Sequence, residues 1–302
     1  MSGIEVQFTD PRRSFTTWGE RLAAYVALTK PRIIELLLIT TVPSMIVAAD
    51  GWPGTWPVLA TVIGGTLAAG GANAINNFAD RDIDGRMRRT MHRPLPSRRM
   101  EPSRALAFGL ILGAAGFVWL WATVNSLAAS LAAGALAFYV LVYTLYLKRT
   151  TTQNIVIGGA AGAVPTLVAW AAVTGRLALP AWVLFAIVFY WTPPHFWALS
   201  LRYREDYERA AVPMLPVVEG VEATTRQIVL YSWVLGGVTL LAHPVAGLGA
   251  VYLIAALVLG AALVVQAVGV RRHPKRAMVL FRFSNVYLTL LFAAMAVDRL
   301  VG

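Results

Sequence analysis

The chain has no cysteine among its 302 residues, which excludes disulfides, thiolate nucleophiles and cysteine-ligated metals or haem. It is also poor in charge, because Asp, Glu, Lys and Arg make up only 14% of it, whereas a soluble domain carries about a quarter. Hydrophobic residues make up 58% and fall in runs of roughly 20, the length of a membrane-spanning helix. Lipid cannot satisfy open sheet edges, so these runs predict an all-α integral membrane protein.

The apolar runs predict about nine transmembrane helices within one domain that covers residues 1–302. Residues 1–30 are polar to amphipathic, so we expect no removable signal peptide. Two polar connections, residues 79–102 and 201–224, are far longer than the others. We place the spans at about 31–50, 56–78, 103–123, 126–147, 154–173, 179–200, 225–245, 247–270 and 277–298.

The formal charge of +11 follows the membrane topology and requires no nucleic acid as a partner. With the N-terminus in the cytoplasm, 24 of the 26 lysines and arginines fall on the cytoplasmic side, and only Arg176 and Arg299 fall opposite. This bias is what the positive-inside rule predicts. We therefore expect a multi-pass protein of the cell (inner) membrane, with the N-terminus and both long connections in the cytoplasm.

The first long connection carries an acidic motif. Asn76, Asp80 and Asp84 recur every four residues, which places them on one face of a helix, with Asp82 nearby. Like charges this close favour a cation, and oxygen ligands of this kind suit Mg²⁺ that also meets a substrate phosphate. Arginine is the residue best suited to bind phosphate, and six follow directly. They are Arg86, Arg88, Arg89, Arg93, Arg98 and Arg99.

The second long connection is open to two interpretations. Asp206 and its neighbours have the spacing of ordinary helical salt bridges, but beside the first motif Asp206 becomes a candidate metal ligand, with Tyr203 and Tyr207 as hydrogen-bonding partners. Pro193-Pro194 just upstream should break or kink the preceding span. His195 is then either a haem ligand or propionate partner, or a buried histidine that stabilises the break.

Residues 76–93, which read N-x-x-x-D-x-x-I-D-x-x-M-x-R-T-x-x-R, resemble the signature of the UbiA-type intramembrane prenyltransferases. Residues 143–149 (Y-T-L-Y-L-K-R) resemble the motif after the fourth helix of that superfamily. Three further segments are similar to its haem-modifying branch, the protohaem IX farnesyltransferases. They are residues 28–32 (L-T-K-P-R), residues 154–165 (N-I-V-I-G-G-A-A-G-A-V-P) and residues 195–216 (H-F-W-A-L…D-Y…P-M-L-P).

The resemblance implies a helical barrel around a central cavity, capped by the two long connections. It implies Mg²⁺-dependent transfer of a farnesyl group from farnesyl diphosphate to a vinyl group of haem b, giving haem O. A haem A synthase or oxidase subunit is a candidate partner, and membrane lipid surrounds the chain. By analogy, the metal ligands would be Asn76, Asp80, Asp84 and Asp206. The diphosphate would be bound by Arg89, Arg93, Lys148 and Arg149. The candidate haem-binding residues would be His195, Tyr203 and Tyr207.

Two positions depart from the resemblance. Arg98 stands where many relatives carry a glycine, and Arg202 stands where many superfamily members carry a second aspartate before Asp206. Prenylation of an aromatic quinone precursor such as 4-hydroxybenzoate stays an alternative, as does a membrane transporter. The small residues of two spans either permit close helix packing or leave clearance for a bulky ligand. These are Gly64, Gly65, Gly70, Gly71, Gly158, Gly159 and Gly162.

Overall fold

The computed structural model describes residues 17–301, without the side chains at positions 32, 33, 36 and 37. Residues 1–16, most of the N-terminal segment on which the signal-peptide expectation rests, lie outside the described part. Within that part the chain is helical and contains no strand. The helices are α1 (Trp18–Thr29), α2 (Pro31–Ala49), α3 (Thr55–Ala79), α4 (Arg81–Asp84), α5 (Pro102–Thr123), α6 (Ser126–Ala137), α7 (Lys148–Thr150), α8 (Asn154–Thr174), α9 (Leu179–Arg202), α10 (Arg204–Arg209), α11 (Leu215–Val218), α12 (Gly220–Val245), α13 (Ala250–Arg272) and α14 (Ala277–Val301). A π-helix, Phe138–Leu147, joins α6 to α7, and a 3-10 turn, Pro274–Arg276, precedes α14.

The helices give the chain multi-pass membrane character. Seven helices of the described part are long and apolar enough to cross a bilayer: α3, α5, the continuous α6–π–α7 segment, α8, α12, α13 and α14. Large apolar side chains such as Ile111, Trp233 and Val265 are exposed on their outer faces, where lipid is a suitable solvent. Helices also lie at the two other predicted positions, α2 and α9, but outside this set of seven. The nine-span topology and its orientation stay predictions.

Glycines on α3 and α5 allow these helices to pack with their backbones in contact. A Cβ atom on Gly71 would lie 2.6 Å from the backbone nitrogen of Gly113 and 2.7 Å from the carbonyl oxygen of Gly109. A Cβ atom on Gly116 would likewise lie 2.7 Å from the backbone nitrogen of Ala68. Any larger residue would push the helices apart, so these glycines serve packing. The close contact fixes the end of α3 that carries the acidic motif.

Of the break or kink predicted at Pro193-Pro194, the break is absent, because α9 continues as one helix through both prolines to Arg202, and the kink stays a prediction. A proline removes one backbone hydrogen bond, but packing can hold the flanking turns together. Trp191 Nε1 donates to the carbonyl oxygen of Ser284 on α14 (2.7 Å), and the His195 ring bonds to Ser284 Oγ (2.7 Å). One α14 residue therefore anchors α9 on both sides of the proline pair.

The connections lie at two ends of the helical bundle. At one end, which we call the polar end, residues 80–101 and 203–219 approach each other and the ends of α1, α7 and α8. At the opposite end, short turns meet the last turn of α14, where Arg299 Nη1 pairs with Asp50 (2.7 Å) and Asp298 accepts a hydrogen bond from Tyr252 N. Most of the polar chemistry is thus gathered at the polar end.

Candidate functional site at the polar end

The end of α3 forms a buried cluster of three side chains, Asn76, Asp80 and Asp84, which we call the acidic centre. Helical hydrogen bonding runs on through the residue that separates α3 from α4: Asp80 N donates to Asn76 O (2.9 Å) and Asp84 N to Asp80 O (2.8 Å). The three side chains therefore share one face, as their spacing predicts, and their residues are only 3%, 1% and 2% exposed. Asp82 points elsewhere, with 53% of its side chain exposed.

Cations from three separate segments contact the acidic centre. Lys148 Nζ lies 2.6 Å from Asp80 Oδ2, and Arg93 Nη1 lies 2.7 Å from Asp84 Oδ2. Lys30, between α1 and α2, donates from Nζ to Asn76 Oδ1 (2.6 Å). Burial of the ammonium group, reinforced by the nearby cations of Arg93 and Lys148, lowers the pKa of Lys30 to about 7. Arg93, Lys148 and a partly protonated Lys30 thus face two carboxylates, and a bound anion would favour the charged form of Lys30.

The π-helix aligns a second polar row with this centre. Its wider turn lets Thr144 Oγ1 bond back to Tyr139 O (2.8 Å), five residues earlier. Thr144 Oγ1 also accepts from Asn76 Nδ2 (2.9 Å), while the same amide group donates to Asp80 Oδ2 (2.8 Å). Lys148 follows one turn later. The π-helix therefore orients Asn76 and delivers Lys148 to Asp80.

Arg149 lies beside the acidic centre but binds mainly outside it. Its guanidinium donates to both oxygens of Asp82 at 2.8 Å, and Nη2 also donates to the carbonyl oxygen of Ala79 (2.9 Å). The hydrogen bonds from Arg149 lower the pKa of Asp82 to about 2. The nearest approach of Arg149 to Asp80 is 3.8 Å, to Oδ1. Arg149 thus holds the α3–α4 junction in place and reaches the centre only at its edge.

Asp206 connects the two long connections. It is buried, and both of its oxygens are engaged: Oδ1 accepts from Arg209 Nη2 (2.7 Å) and Oδ2 from the backbone N–H of Arg89 (3.2 Å). The Arg89 guanidinium lies over the ring of Tyr203, 5.4 Å from its centroid. Tyr207 is buried alongside, which raises the pKa of its hydroxyl, and Arg89 hydrogen-bonds to it. Asp206 therefore fastens the 203–219 connection onto the 80–101 connection.

His195 is packed inside the helices and separate from the acidic centre. Its ring stacks against Trp191 and Phe281, with centroid separations of 4.2 and 4.5 Å. One ring nitrogen, Nδ1, bonds to Ser284 Oγ. This geometry favours the buried-histidine interpretation, and a role for His195 in haem binding stays a prediction.

An apolar cavity lies among α2, α3, α6, the π-helix and α8, on the membrane side of the acidic centre. Its polar lining includes Asn73, one turn before Asn76 and Asn77, and Tyr139 of the π-helix. Gly65 and Gly162 face open space, since a Cβ on either would meet nothing within 4 Å. By contrast, a Cβ on Gly158 would collide with the Tyr143 ring, and one on Gly159 would press on Thr192. The glycines are thus divided: Gly158 and Gly159 serve packing, and Gly65 and Gly162 leave clearance.

The donor set is compatible with a metal ion only if a ligand completes the coordination. Within residues 17–301, no three His, Asp or Glu side chains converge as metal ligands. Asp80 Oδ1, however, is buried without a hydrogen-bond partner, and an orphaned carboxylate oxygen of this kind suits a hard cation. Mg²⁺ commonly binds through one or two carboxylates together with phosphate oxygens and water. The acidic centre meets that requirement, whereas each oxygen of Asp206 already accepts a hydrogen bond.

The structure brings together Asn76, Asp80, Asp84, Arg93 and Lys148, all singled out from the sequence. It places Arg89, Asp206, Tyr203 and Tyr207 in an adjoining group. Two contributors were missed: Lys30 and Thr144. Both lie inside motifs noted in the sequence, Lys30 in residues 28–32 and Thr144 in residues 143–149, but neither was given a role there. The contact of Thr144 with Asn76 depends on the π-helix.

Comparison with known proteins agrees with the sequence motifs and the fold. The profile of the UbiA prenyltransferase family matches residues 37–291. A curated protoheme IX farnesyltransferase from Nocardioides sp. is 54% identical over 289 residues, which cover 93% of this chain and 92% of that protein.

Solved structures share the fold at low sequence identity. A solved structure of digeranylgeranylglyceryl phosphate synthase matches this chain with a TM-score of 0.76 and 18% sequence identity. The match covers 93% of this chain and 99% of that protein's chain. The structure of a UbiA homologue from Archaeoglobus fulgidus bound to GPP and Mg²⁺ has a TM-score of 0.64 and 13% identity, covering 90% and 99%. The match to the family profile and the identity to the curated relative lead to one conclusion: this chain belongs to the UbiA prenyltransferase family.

Proposed function

We propose that this protein transfers the farnesyl group of farnesyl diphosphate to a vinyl group of haem b, giving haem O. The observation that carries the proposal is the position of a cation-rich acidic centre at the mouth of an apolar cavity. A prenyl diphosphate has the matching character, with an anionic head and an apolar tail. We infer the donor, farnesyl diphosphate, and the acceptor, haem b, from the curated relative that is 54% identical over nearly the whole chain.

The diphosphate is bound by side chains that now neutralise the aspartates. Lys148, Arg93 and Lys30 are within hydrogen-bonding distance of the acidic centre and are only partly buried. Each can turn from its present acceptor to a phosphate oxygen, because lysine and arginine have several donors. Arg89 and Arg149, at the edges of the group, complete the diphosphate-binding set.

The acidic centre fits Mg²⁺ as the cofactor, with the oxygens of Asp80 and Asp84 as ligands and Asn76 beside them. The family relative bound to GPP and Mg²⁺ supports this assignment. When bound, Mg²⁺ would supply Lewis-acid stabilisation of negative charge on the departing diphosphate. Asp206 would join a second ion in competition with Arg209, since each of its oxygens already accepts a hydrogen bond.

In the reaction the bond between C1 of the farnesyl group and the diphosphate oxygen breaks, and its electron pair leaves with the diphosphate. Once turned to the bound diphosphate, Lys148 and Arg93 stabilise that growing charge. The vinyl group of haem b then donates its π electrons to C1 and forms the new carbon–carbon bond. Water adds to the cation left beside the porphyrin and loses a proton, which gives the hydroxyl of haem O. The apolar cavity keeps water from the allylic cation before that step.

The test is an acceptor assay with the purified protein. Farnesyl diphosphate and Mg²⁺ are supplied with either haem b or 4-hydroxybenzoate, and products and released diphosphate are measured by mass spectrometry and a coupled assay. We expect haem O in equal amount to diphosphate, and no product after EDTA. Prenylated 4-hydroxybenzoate would place the chain in the quinone branch, and substrate flux across vesicles without diphosphate release would identify a transporter.

The proposal includes a single transmembrane domain in the inner membrane with its polar end in the cytoplasm. Because the chain has no cysteine, single-cysteine labelling has no background. We expect Ser103→Cys to react with an impermeant maleimide only in inverted vesicles, and Arg176→Cys only in intact spheroplasts. Labelling in the reverse sense would invert the topology. Association with a haem A synthase or oxidase subunit stays a prediction.

A further inference from the structure

A second pocket lies at the polar end, between the 80–101 and 203–219 connections. We call it the arginine pocket. Its wall includes one carboxylate that is fully paired, Asp206, and an aromatic ring, Tyr203. Five of its ten lining residues are arginines. The lining is Arg88, Arg89, Leu201, Arg202, Tyr203, Arg204, Glu205, Asp206, Glu208 and Arg209.

Most of these arginines have no acidic partner. In the described part of the chain, Arg209 pairs with Asp206, but the other four form no ion pair, and Arg204 Nε is buried without a hydrogen-bond partner. Two glutamates of the lining, Glu205 and Glu208, are exposed and also form no ion pair. Four unpaired arginines against two glutamates leave the pocket net positive. Unpaired cations at a pocket wall favour an anionic ligand.

The arrangement suits a flat ligand with carboxylates. The guanidinium carbons of Arg89 and Arg202 lie 5.4 and 6.0 Å from the centroid of the Tyr203 ring. Guanidinium groups bind carboxylates through two parallel hydrogen bonds, and they also stack on conjugated rings. The pocket therefore offers both a fork for a carboxylate and a planar surface beside it.

We propose, on the basis of the function above, that the arginine pocket binds the two propionate groups of the haem acceptor, with Arg202 and Arg204 as its principal partners. The propionates and the vinyl groups lie at opposite edges of the porphyrin. Anchoring the propionates at the outer pocket turns the vinyl edge towards the acidic centre. The two sites adjoin: Arg89, which lines the pocket, lies four residues before Arg93, which pairs with Asp84 of the acidic centre.

The test crosses one double variant with one chemical change in the acceptor. Wild type, R202Q/R204Q and the control R271Q, which removes an exposed arginine at the end of α13, are assayed with haem b and with haem b dimethyl ester. We expect the ester to raise the KM of wild type about tenfold or more, in line with the loss of charged hydrogen bonds. The double variant should show the same rise with haem b itself and no further rise with the ester. R271Q should behave as wild type, and the KM for farnesyl diphosphate should stay within twofold throughout.

If the arginine pocket binds a different ligand, the same KM measurements give different results. If the double variant raises the KM for farnesyl diphosphate instead, the pocket binds the diphosphate and the proposal is wrong. If the haem KM of wild type follows the anionic lipid content of the vesicles and ignores esterification, the pocket binds lipid headgroups. Equal KM values of wild type for the acid and the ester overturn the proposal without any variant. Turnover of the ester itself shows that farnesyl transfer holds, so failure of this inference is separable from failure of the proposed function.

Discussion

The two long connections at the polar end are both rich in charge, but they handle it in opposite ways. In the first, Asp84 is held by Arg93 of the same connection and Asp80 by Lys148 of α7, and Asp80 keeps an unsatisfied oxygen. In the second, the one buried carboxylate, Asp206, is fully paired, and it is the arginines that lack partners. The first connection can therefore accept a cation together with its anionic substrate. The second offers unpaired arginines to an anion.

The largest expected effect is the loss of the unsatisfied carboxylate in the first connection. Asp80→Asn keeps the shape but removes the charge that receives Lys148 and would hold a metal ion. We expect haem O formation to fall by about 10³-fold, comparable to the removal of a principal electrostatic group from an active site. The measurement is single-turnover haem O formation by mass spectrometry, with membrane content of the variant checked in parallel.

The matched control for that variant is Asp82→Asn, two residues away. Asp82 is exposed and bound to Arg149, so its loss should change the rate by less than tenfold. Equal losses in the two variants would mean that the whole α3–α4 junction, and not Asp80 in particular, supports turnover.

The acidic motif also shows how far the sequence could predict this site. The four-residue spacing of Asn76, Asp80 and Asp84 determines their shared face through helix geometry alone. Their contacts with Lys30 and Thr144 depend on residues 46 and 68 positions away along the chain. Long-range packing of this kind, and the π-helix on which Thr144 depends, has no signature in local composition.

The glycines and prolines show that helix packing is equally hard to predict from the sequence. Spacing in the sequence could not separate Gly158, which faces the Tyr143 ring, from Gly162, which faces the cavity. Both are small residues four apart on one helix, and only the neighbouring helices distinguish them. The proline pair shows the same dependence on neighbouring helices, because contacts with α14 hold α9 together where local rules allow either a break or a kink.

The next effect compares two adjacent cations of α7. Lys148 contacts Asp80 at 2.6 Å, whereas Arg149 is mainly bound to Asp82. On the proposal that Lys148 binds the leaving diphosphate, we expect Lys148→Gln to lower kcat about 100-fold and Arg149→Gln to lower it about tenfold or less. Pre-steady-state diphosphate release measures both. The reverse order would make Arg149 the principal diphosphate ligand.

A smaller effect should arise in the cavity below the first connection. Gly162→Leu places a side chain in open space, so the fold should tolerate it while the isoprenoid loses room. We expect the preference for farnesyl over geranyl diphosphate, as the ratio of kcat/KM values, to fall about tenfold, with an unchanged KM for haem. Gly237→Leu on the exposed face of α12 is the control, since a Cβ there also meets nothing. A loss of preference in both variants would show that the cavity does not select the length of the isoprenoid chain.

The smallest effect tests a feature that the two connections have in common. Each contains one exposed residue other than glycine in the left-handed region: Arg98 with φ 56° and Ala211 with φ 53°. Glycine relieves the steric cost of that conformation but adds entropy to the unfolded chain. We expect Arg98→Gly and Ala211→Gly each to stabilise the protein by about 0.5–1 kcal/mol, seen as a small rise of Tm in detergent. Turnover should not change in either. A loss of activity in Arg98→Gly alone would show that this arginine works with the acidic centre and is more than a strained turn residue.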